Sequence, residues 1–377
     1  MVTRIFLRFT DQSVPDLLMQ APSDKDLLSI AKQFVDIEIT SIDNFGNGLI
    51  NDTFLITCNN NQSLHFILQR INHQVFPRPE WIMGNIQKLT AHFLQGSQCR
   101  QQLTLPEILP TNKGQLYFVD KKQQYWRALS FIENSTSFEK ITQSAEAEQV
   151  GSALAEFHCR TASLSTSELF DTLPGFHITP QYLENYYHSS SAIKNNPDCR
   201  FCQQFIEQFK NRVDVLESAK QKGLLIDRVI HGDPKLNNFL FSKTSQKIIS
   251  FIDLDTVKPG LVHYDIGDCL RSCCQTENPI HFDLDICELI LKHYLEQARY
   301  FFTRNDFDFL YPAIELLPFE LGLRFFTDYL QGNHYFKAIH SEQNLQRACQ
   351  QFQLVQSIQQ QQKQIENLIY RFKNERY

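Results

Sequence analysis

Val229-Ile230-His231-Gly232-Asp233-Pro234-Lys235-Leu236-Asn237-Asn238-Phe239-Leu240-Phe241 is the stretch on which the reading of this chain turns. Two short apolar runs of strand-forming residues, Val229-Ile230 and Phe239-Leu240-Phe241, flank a polar loop, so the loop projects from a rigid platform. Inside it a carboxylate and an amide, Asp233 and Asn238, stand five positions apart, with the ammonium of Lys235 between them. A carboxylate can accept a proton from a hydroxyl, and an amide oxygen is a hard ligand for a divalent cation. An ammonium at Lys235 is placed to neutralise charge on a transferring phosphoryl group.

Protein kinases use the same offset in H-R-D-x-x-x-x-N, where the aspartate reaches the substrate hydroxyl and the asparagine turns back to a magnesium ion. A second segment supports the first. Ile249-Ser250-Phe251-Ile252-Asp253-Leu254-Asp255 is an apolar strand ending in acidic residues, and Asp253 follows Asp233 by 20 residues, a separation that suits a hairpin. A lone His-Gly-Asp is a common turn, and an aspartate at a strand end is often only a cap. The three groups in register point instead to ATP- and Mg2+-dependent phosphoryl transfer, with Asp233 as base and Asn238 and Asp253 as metal ligands.

Upstream, Ile37 to Ile42, Thr53 to Thr57 and Leu64 to Arg70 read as strands, separated by turns at Gly46-Asn47-Gly48 and Cys58-Asn59-Asn60-Asn61. The first turn falls where a phosphate loop belongs, which nominates Gly46, Gly48, Asn51 and Thr53 as nucleotide contacts. It is neither a Walker A loop nor a full G-x-G-x-x-G. Pro79 opens a helix continued by Trp81, Ile82, Ile86, Leu89 and Phe93 at helical spacing. Leu116 to Val119 and Trp126 to Ile132 read as a further strand pair. Backbone groups from Ser130 to Ile132 are then placed to read an adenine edge.

The polar run Glu133-Asn134-Ser135-Thr136-Ser137 is the natural hinge. Residues 1–132 form a β-rich nucleotide-binding lobe, and 138–377 a mainly helical lobe carrying the catalytic loop and acceptor site. The expected fold is therefore α+β and protein-kinase-like: a small antiparallel β lobe, a large helical lobe and an ATP site in the cleft. The glutamine-rich tail from Glu342 reads as a solvated helix packing one face on the body.

Composition narrows the partners. The chain has 377 residues, 42% hydrophobic and 21% charged, with a formal net charge of -6. This is an ordinary globular balance, without the basic footprint of a nucleic-acid binder. Met1 to Thr10 is too short in apolar residues for a signal-peptide core, and no run approaches a membrane span, so a soluble cytoplasmic protein is expected. The 10 cysteines are scattered. Cys199 and Cys202 have C-x-x-C spacing, but the further ligands of a zinc site are not evident, and free thiols are the expectation.

The motifs resemble those of the aminoglycoside-phosphotransferase and choline-kinase-like family, which carries HGDxxxxN followed by a strand ending in Ile-Asp. Within that group the chain most resembles bacterial N-acetylhexosamine 1-kinases. The resembling stretches are Gly48 to Phe54, Phe66 to Asn72, His231 to Asn238, Ile252 to Gly260 and Tyr264 to Asp268, with Arg271 close behind. The resemblance implies ATP-dependent phosphorylation of the anomeric hydroxyl of N-acetylglucosamine or N-acetylgalactosamine. That hydroxyl is acidified by the ring oxygen, so a carboxylate near its ordinary pKa is an adequate base. Carried over by position, Asp233 is the base, Asn238 and Asp253 hold magnesium, and Asp255 is a second acidic contact. Asp265, Asp268 and His231 support the loop.

One position departs from the kinase pattern. The third strand normally supplies a lysine to the α/β-phosphates, paired with a helix glutamate. Here that place reads Gln69-Arg70, whose side chains point to opposite faces of a regular strand. Either a bulge brings Arg70 into register as the phosphate contact, or Gln69 takes a neutral role; Glu80 is the nearest helix glutamate.

In related sugar kinases the region equivalent to Glu320 to Phe336 lines the acceptor pocket. Arg324 and Tyr335 are the expected sugar contacts, with Glu320 and Asp328 behind them. The same residues, Glu320, Arg324 and Asp328, also fit a surface ion-pair ladder at i, i+4 and i+8. Phe176-His177-Ile178-Thr179-Pro180 matches the family too, although a polar residue is expected at Ile178 and a basic one near Tyr182. Competing readings are a same-fold kinase of choline, ethanolamine, homoserine or an aminoglycoside, and a non-catalytic nucleotide-binding scaffold. The expected partner is a small-molecule sugar, and the chain is expected to be a monomer or homodimer.

Overall fold

The computed structural model describes residues 22–46, 50–59, 64–95, 103–189 and 196–374. Gly48, with Asn47 and Leu49, lies outside the described residues, as does the Met1 to Thr10 segment. The N-terminal part is an antiparallel sheet of β1 (Ile39–Asn44), β2 (Asp52–Cys58), β3 (Leu64–Ile71), β4 (Ile108–Leu109), β5 (Phe118–Val119) and β6 (Tyr125–Ser130). Its order is β1-β2-β3-β6-β4, with β5 also on β6, and it does not close into a barrel.

Alternation divides the faces of this sheet. Phe54, Ile56, Cys58, Phe66, Leu68, Trp126 and Ala128 point one way and pack with Leu27, Ile30 and Ala31 of helix α1 (Asp24–Ala31). Each large side chain so buried stabilises the fold by about 2 kcal/mol. The odd-numbered residues, including Thr53, Gln69 and Arg127, emerge on the other face. Helix α2 (Pro79–Gln95) starts at the proline, as expected from its fixed φ.

The strands that carry the 231–238 loop follow. Strand β8 (Arg228–Ile230) enters the loop, and β9 (Phe239–Ser242) and β10 (Ile248–Phe251) form the expected hairpin after it. The polar run 133–137 is more than a linker. Ser135 and Thr136 form β7, which pairs with Ser242 and Phe241 and adds a third strand to the hairpin. Strand β11 (Lys258–Gly260) pairs with β8.

The remaining body is helical: α3 (Ser144–Thr161), α4 (Thr179–Ser189), α5 (Pro197–Phe209), α6 (Val215–Gln221), α7 (Val262–Cys273), α8 (Leu284–Ala298), α9 (Arg304–Asp308) and α10 (Leu310–Leu330). The tail is two helices, α11 (Gln343–Gln360) and α12 (Gln362–Asn374), and α11 is more deeply buried than its glutamines suggest. Gly322 of α10 lets it in, because a Cβ there would lie 2.7 Å from the Phe352 ring. Cys202 finds its neighbour across this layer: its sulfur is 3.6 Å from that of Cys349, not of Cys199. No helix among the described residues is long and apolar enough to cross a membrane.

Candidate active site

The loop after β8 is held from below by one carboxylate. Asp265 of α7 accepts the backbone N–H of His231 at 2.7 Å and that of Gly232 at 2.8 Å, and His158 meets it at 2.9 Å. All four residues involved are buried in the helical body. His231 reaches the Ile252 carbonyl at 3.0 Å through Nε2, joining this loop to the end of β10. Burial lowers the His231 pKa despite the nearby carboxylates Asp265 and Asp233, which keeps it neutral. Gly232 has φ +85, and a Cβ there would meet the Thr256 carbonyl at 2.6 Å, so this turn requires glycine.

The polar groups above this base converge. Lys235 Nζ lies 2.6 Å from Asp233 Oδ2 and 4.0 Å from Asp253 Oδ2. Burial works against the Lys235 ammonium, but Asp233 and Asp253 outweigh it and raise its pKa. Asn238 turns its amide N–H to the Asp233 carbonyl at 2.7 Å, so its remaining donor atom for a metal is the amide oxygen. Asp253 adopts a left-handed backbone, φ 62 and ψ 54, which aims its side chain off the end of β10. Desolvation by the surrounding protein pushes the Asp253 pKa up to about 6 although its side chain is 44% exposed; Lys235 pulls it down, while Asp255 and Asp233 push it further up.

Asp255 is committed differently. Its carboxylate pairs with Arg127 at 2.5 Å and accepts from Asn51 at 2.8 Å, and its side chain is 1% exposed. Gln69, opposite Arg127 in the β3–β6 register, accepts from Arg127 Nε at 2.9 Å and Nη2 at 2.7 Å and donates to Thr53 at 3.0 Å. Arg70 lies on the other face, where it pairs with Asp52 at 2.5 Å and covers the Trp126 ring. Pairing across β2, β3 and β6 shows no bulge near it. The expectation that Arg70 serves as a phosphate contact is therefore corrected: strand alternation turns it toward α1.

Beside helix α10 an aromatic wall surrounds one cation. The Arg324 guanidinium sits over the rings of Phe176 at 5.0 Å, Tyr182 at 5.1 Å, Phe336 at 5.4 Å and Tyr335 at 5.7 Å. Burial opposes its charge, but Tyr182, Tyr335, Glu320 and Asp233 outweigh that and raise its pKa. Glu320 and Asp328 do not form a surface ladder with Arg324, being 1% and 3% exposed. Glu320 binds His177 at 2.9 Å and Thr179 at 2.8 Å. Asp328 accepts the N–H groups of Tyr335 at 2.7 Å and Phe336 at 3.0 Å, which shapes the wall.

Residues 41–301 match the phosphotransferase enzyme family known as APH. The chain belongs to that family. It is accordingly a small-molecule kinase. Among solved structures it is similar to a spectinomycin phosphotransferase in complex with ADP and spectinomycin, at 14% identity and TM-score 0.60 over 90% of this chain and all of that one. It is also similar to a choline kinase from Cryptosporidium parvum, at 15% identity and TM-score 0.60, covering 92% and 98% of the two chains. A microcompartment-associated aminopropanol kinase matches at 14% identity and TM-score 0.55, covering 90% and 98%. These likenesses establish the kinase-like fold.

Asp233, Lys235, Asn238 and Asp253 are thus brought together in this phosphotransferase. Gly46 has φ +74 at the β1–β2 turn, and a Cβ there would meet none of the described residues within 4 Å. Asn51 and Thr53 are engaged with Asp255 and Gln69. Ser130 pairs with Glu107 through both backbone and hydroxyl, and the Ile132 carbonyl accepts the Ser135 hydroxyl at 2.6 Å. Sequence reasoning missed Arg127 and the bridging role of His177, whose Nε2 reaches the Gly232 carbonyl at 2.7 Å. The available signal was an arginine between Trp126 and Ala128 inside an inner strand, where a charge needs a partner.

Proposed function

We propose that this protein transfers the γ-phosphoryl group of ATP to the anomeric hydroxyl of an N-acetylhexosamine. The observation that carries the acceptor assignment is the aromatic wall with Arg324 inside it. Aromatic faces suit the C–H surfaces of a sugar ring, and a fixed guanidinium donates to hydroxyl or acetamide oxygens. The same guanidinium occupies the place where an aromatic cage would hold a quaternary ammonium, and it repels cationic acceptors. A second reading, a kinase of another small alcohol such as choline, ethanolamine, homoserine or an aminoglycoside, draws support from the amine-bearing substrates of the structural neighbours.

In this reading the nucleotide lies between residues 1–132 and 138–377, with 133–137 as hinge, in a cytoplasmic setting. Asp233 accepts the proton of the attacking hydroxyl. The acceptor oxygen forms a bond to the γ-phosphorus as the bond to the bridging oxygen breaks, and ADP leaves with that electron pair. Lys235 keeps Asp233 oriented and offsets charge on the phosphoryl oxygens. The hard oxygen donors of Asp253 and Asn238 would hold magnesium. Magnesium would supply charge neutralisation across the phosphates.

A screen of hexosamines and amino alcohols with Mg-ATP, with the phosphate located on the product, tests the assignment. Phosphate at O1 of an N-acetylhexosamine is the expected outcome. Turnover confined to amino alcohols overturns it.

A further inference from the structure

Kinases need a cation against the nucleotide phosphates, and the third strand of this sheet lacks it. Gln69 is neutral, and Arg70 is directed to the other face, against Asp52. The geometry points to Arg127, on the neighbouring strand, as the phosphate-binding cation of this enzyme; the inference rests on the reading of the protein as an ATP-dependent kinase.

The register carries the case. Gln69 and Arg127 are directly paired in an unbroken β3–β6 ladder, so their side chains leave the same face of the sheet one strand apart. The cation has moved sideways by one strand. Its guanidinium, 1% exposed, is fixed in orientation by two contacts to Gln69 Oε1 and by the 2.5 Å ion pair to Asp255. Asp255 thereby does for Arg127 what a helix glutamate does for the usual lysine. Glu80, the nearest helix glutamate, pairs with Arg78 instead.

A guanidinium has five N–H donors, and this one is not fully used. Nη1 is buried and has no hydrogen-bond partner among the described residues. An unpaired donor on a desolvated cation is costly, and a phosphate oxygen is the acceptor its planar fork fits best. The neighbourhood is right for that ligand. Asp255, with which Arg127 pairs at 2.5 Å, is two residues from Asp253 in the same short turn. The guanidinium is therefore anchored to the turn that begins at the carboxylate assigned to magnesium. Asp255 is a positioning residue in this arrangement, because Arg127 and Asn51 take up its carboxylate.

The test compares ADP with adenosine by calorimetry, in Mg2+ buffer, for the full-length wild type, Arg127→Met and Arg127→Lys, with thermal melts run alongside. Adenosine lacks only the phosphates, so the ratio of the two affinities isolates the phosphate contact from general damage to the fold. Arg127→Met is expected to lower the ADP-to-adenosine ratio about 10- to 100-fold, with KM for ATP rising by a similar factor. Arg127→Lys retains a cation against Asp255 and is the variant that keeps the fold. Its single ammonium cannot serve Gln69, Asp255 and a phosphate together, so its ratio falls about 5- to 10-fold. A wild-type ratio in every folded variant, or an equal loss of ADP and adenosine, overturns the assignment. A wild-type protein that binds ADP no better than adenosine overturns the kinase reading itself, and this inference with it.

Discussion

His177 and Glu320 form a buried ion pair, Nδ1 to Oε1 at 2.9 Å, that ties helix α10 to the loop at Gly232. The other ring nitrogen faces the Gly232 carbonyl at 2.7 Å, so both nitrogens need a proton and the imidazolium is the form that satisfies the site. Burial opposes that charge, but Glu320, with Asp268 further off, outweighs it and raises the His177 pKa above 6.5. A raised histidine pKa contributes stability in full below the unfolded value, and loses it as pH rises through the folded value. Thermal melts should therefore show the protein weakening as pH climbs above about 6.5 toward that folded value. Glu320→Gln should flatten this dependence, and Glu320→Ala should cost about 3 kcal/mol by leaving the imidazolium uncompensated. Identical pH profiles for wild type and Glu320→Gln would falsify the imidazolium assignment.

Asp233→Asn should reduce turnover by about 10^2- to 10^4-fold, the usual worth of a positioned base. ADP affinity should change little, because Asp233 faces Lys235 and Asn238 within the loop. Steady-state rates and ADP titration together check this, and wild-type turnover in the variant would remove Asp233 from the chemistry.

Arg324→Ala should raise KM for a sugar acceptor about 10- to 100-fold and leave KM for ATP near its wild-type value. The four rings around Arg324 would then enclose an empty cage. That variant should gain measurable turnover of a quaternary-ammonium alcohol, whereas an unchanged KM for sugar places the acceptor elsewhere.

Asp265→Ala should destabilise the protein by about 3–5 kcal/mol in urea denaturation. It strands two buried backbone N–H groups, those of His231 and Gly232, and leaves His158 without its carboxylate. A loss below about 1 kcal/mol would mean the loop finds its shape without this anchor.

The parts legible in the sequence are those whose geometry is set within a short span. The offset between Asp233 and Asn238 is contained in one loop, and Phe239–Ser242 appears as a strand with the bounds its apolar run suggests. Pro79 marks a helix start because its φ is fixed whatever surrounds it. Ser135 and Thr136 were harder. Two residues are too short a run to show alternation, and their pairing with β9 depends on a partner about 100 residues away.

The fold class, the loop from His231 to Asn238 and the acidic strand end at Asp253 are legible in the chain before it folds. These follow from residue type and local spacing, which propensity and periodicity encode directly. Long-range packing sets the rest: Arg127 faces Asp255, Arg70 is turned toward α1, and Glu320 reaches His177 instead of Arg324. Each of those depends on strand register or helix rotation between distant segments. A one-residue change in register would reverse the faces while leaving every local pattern unaltered.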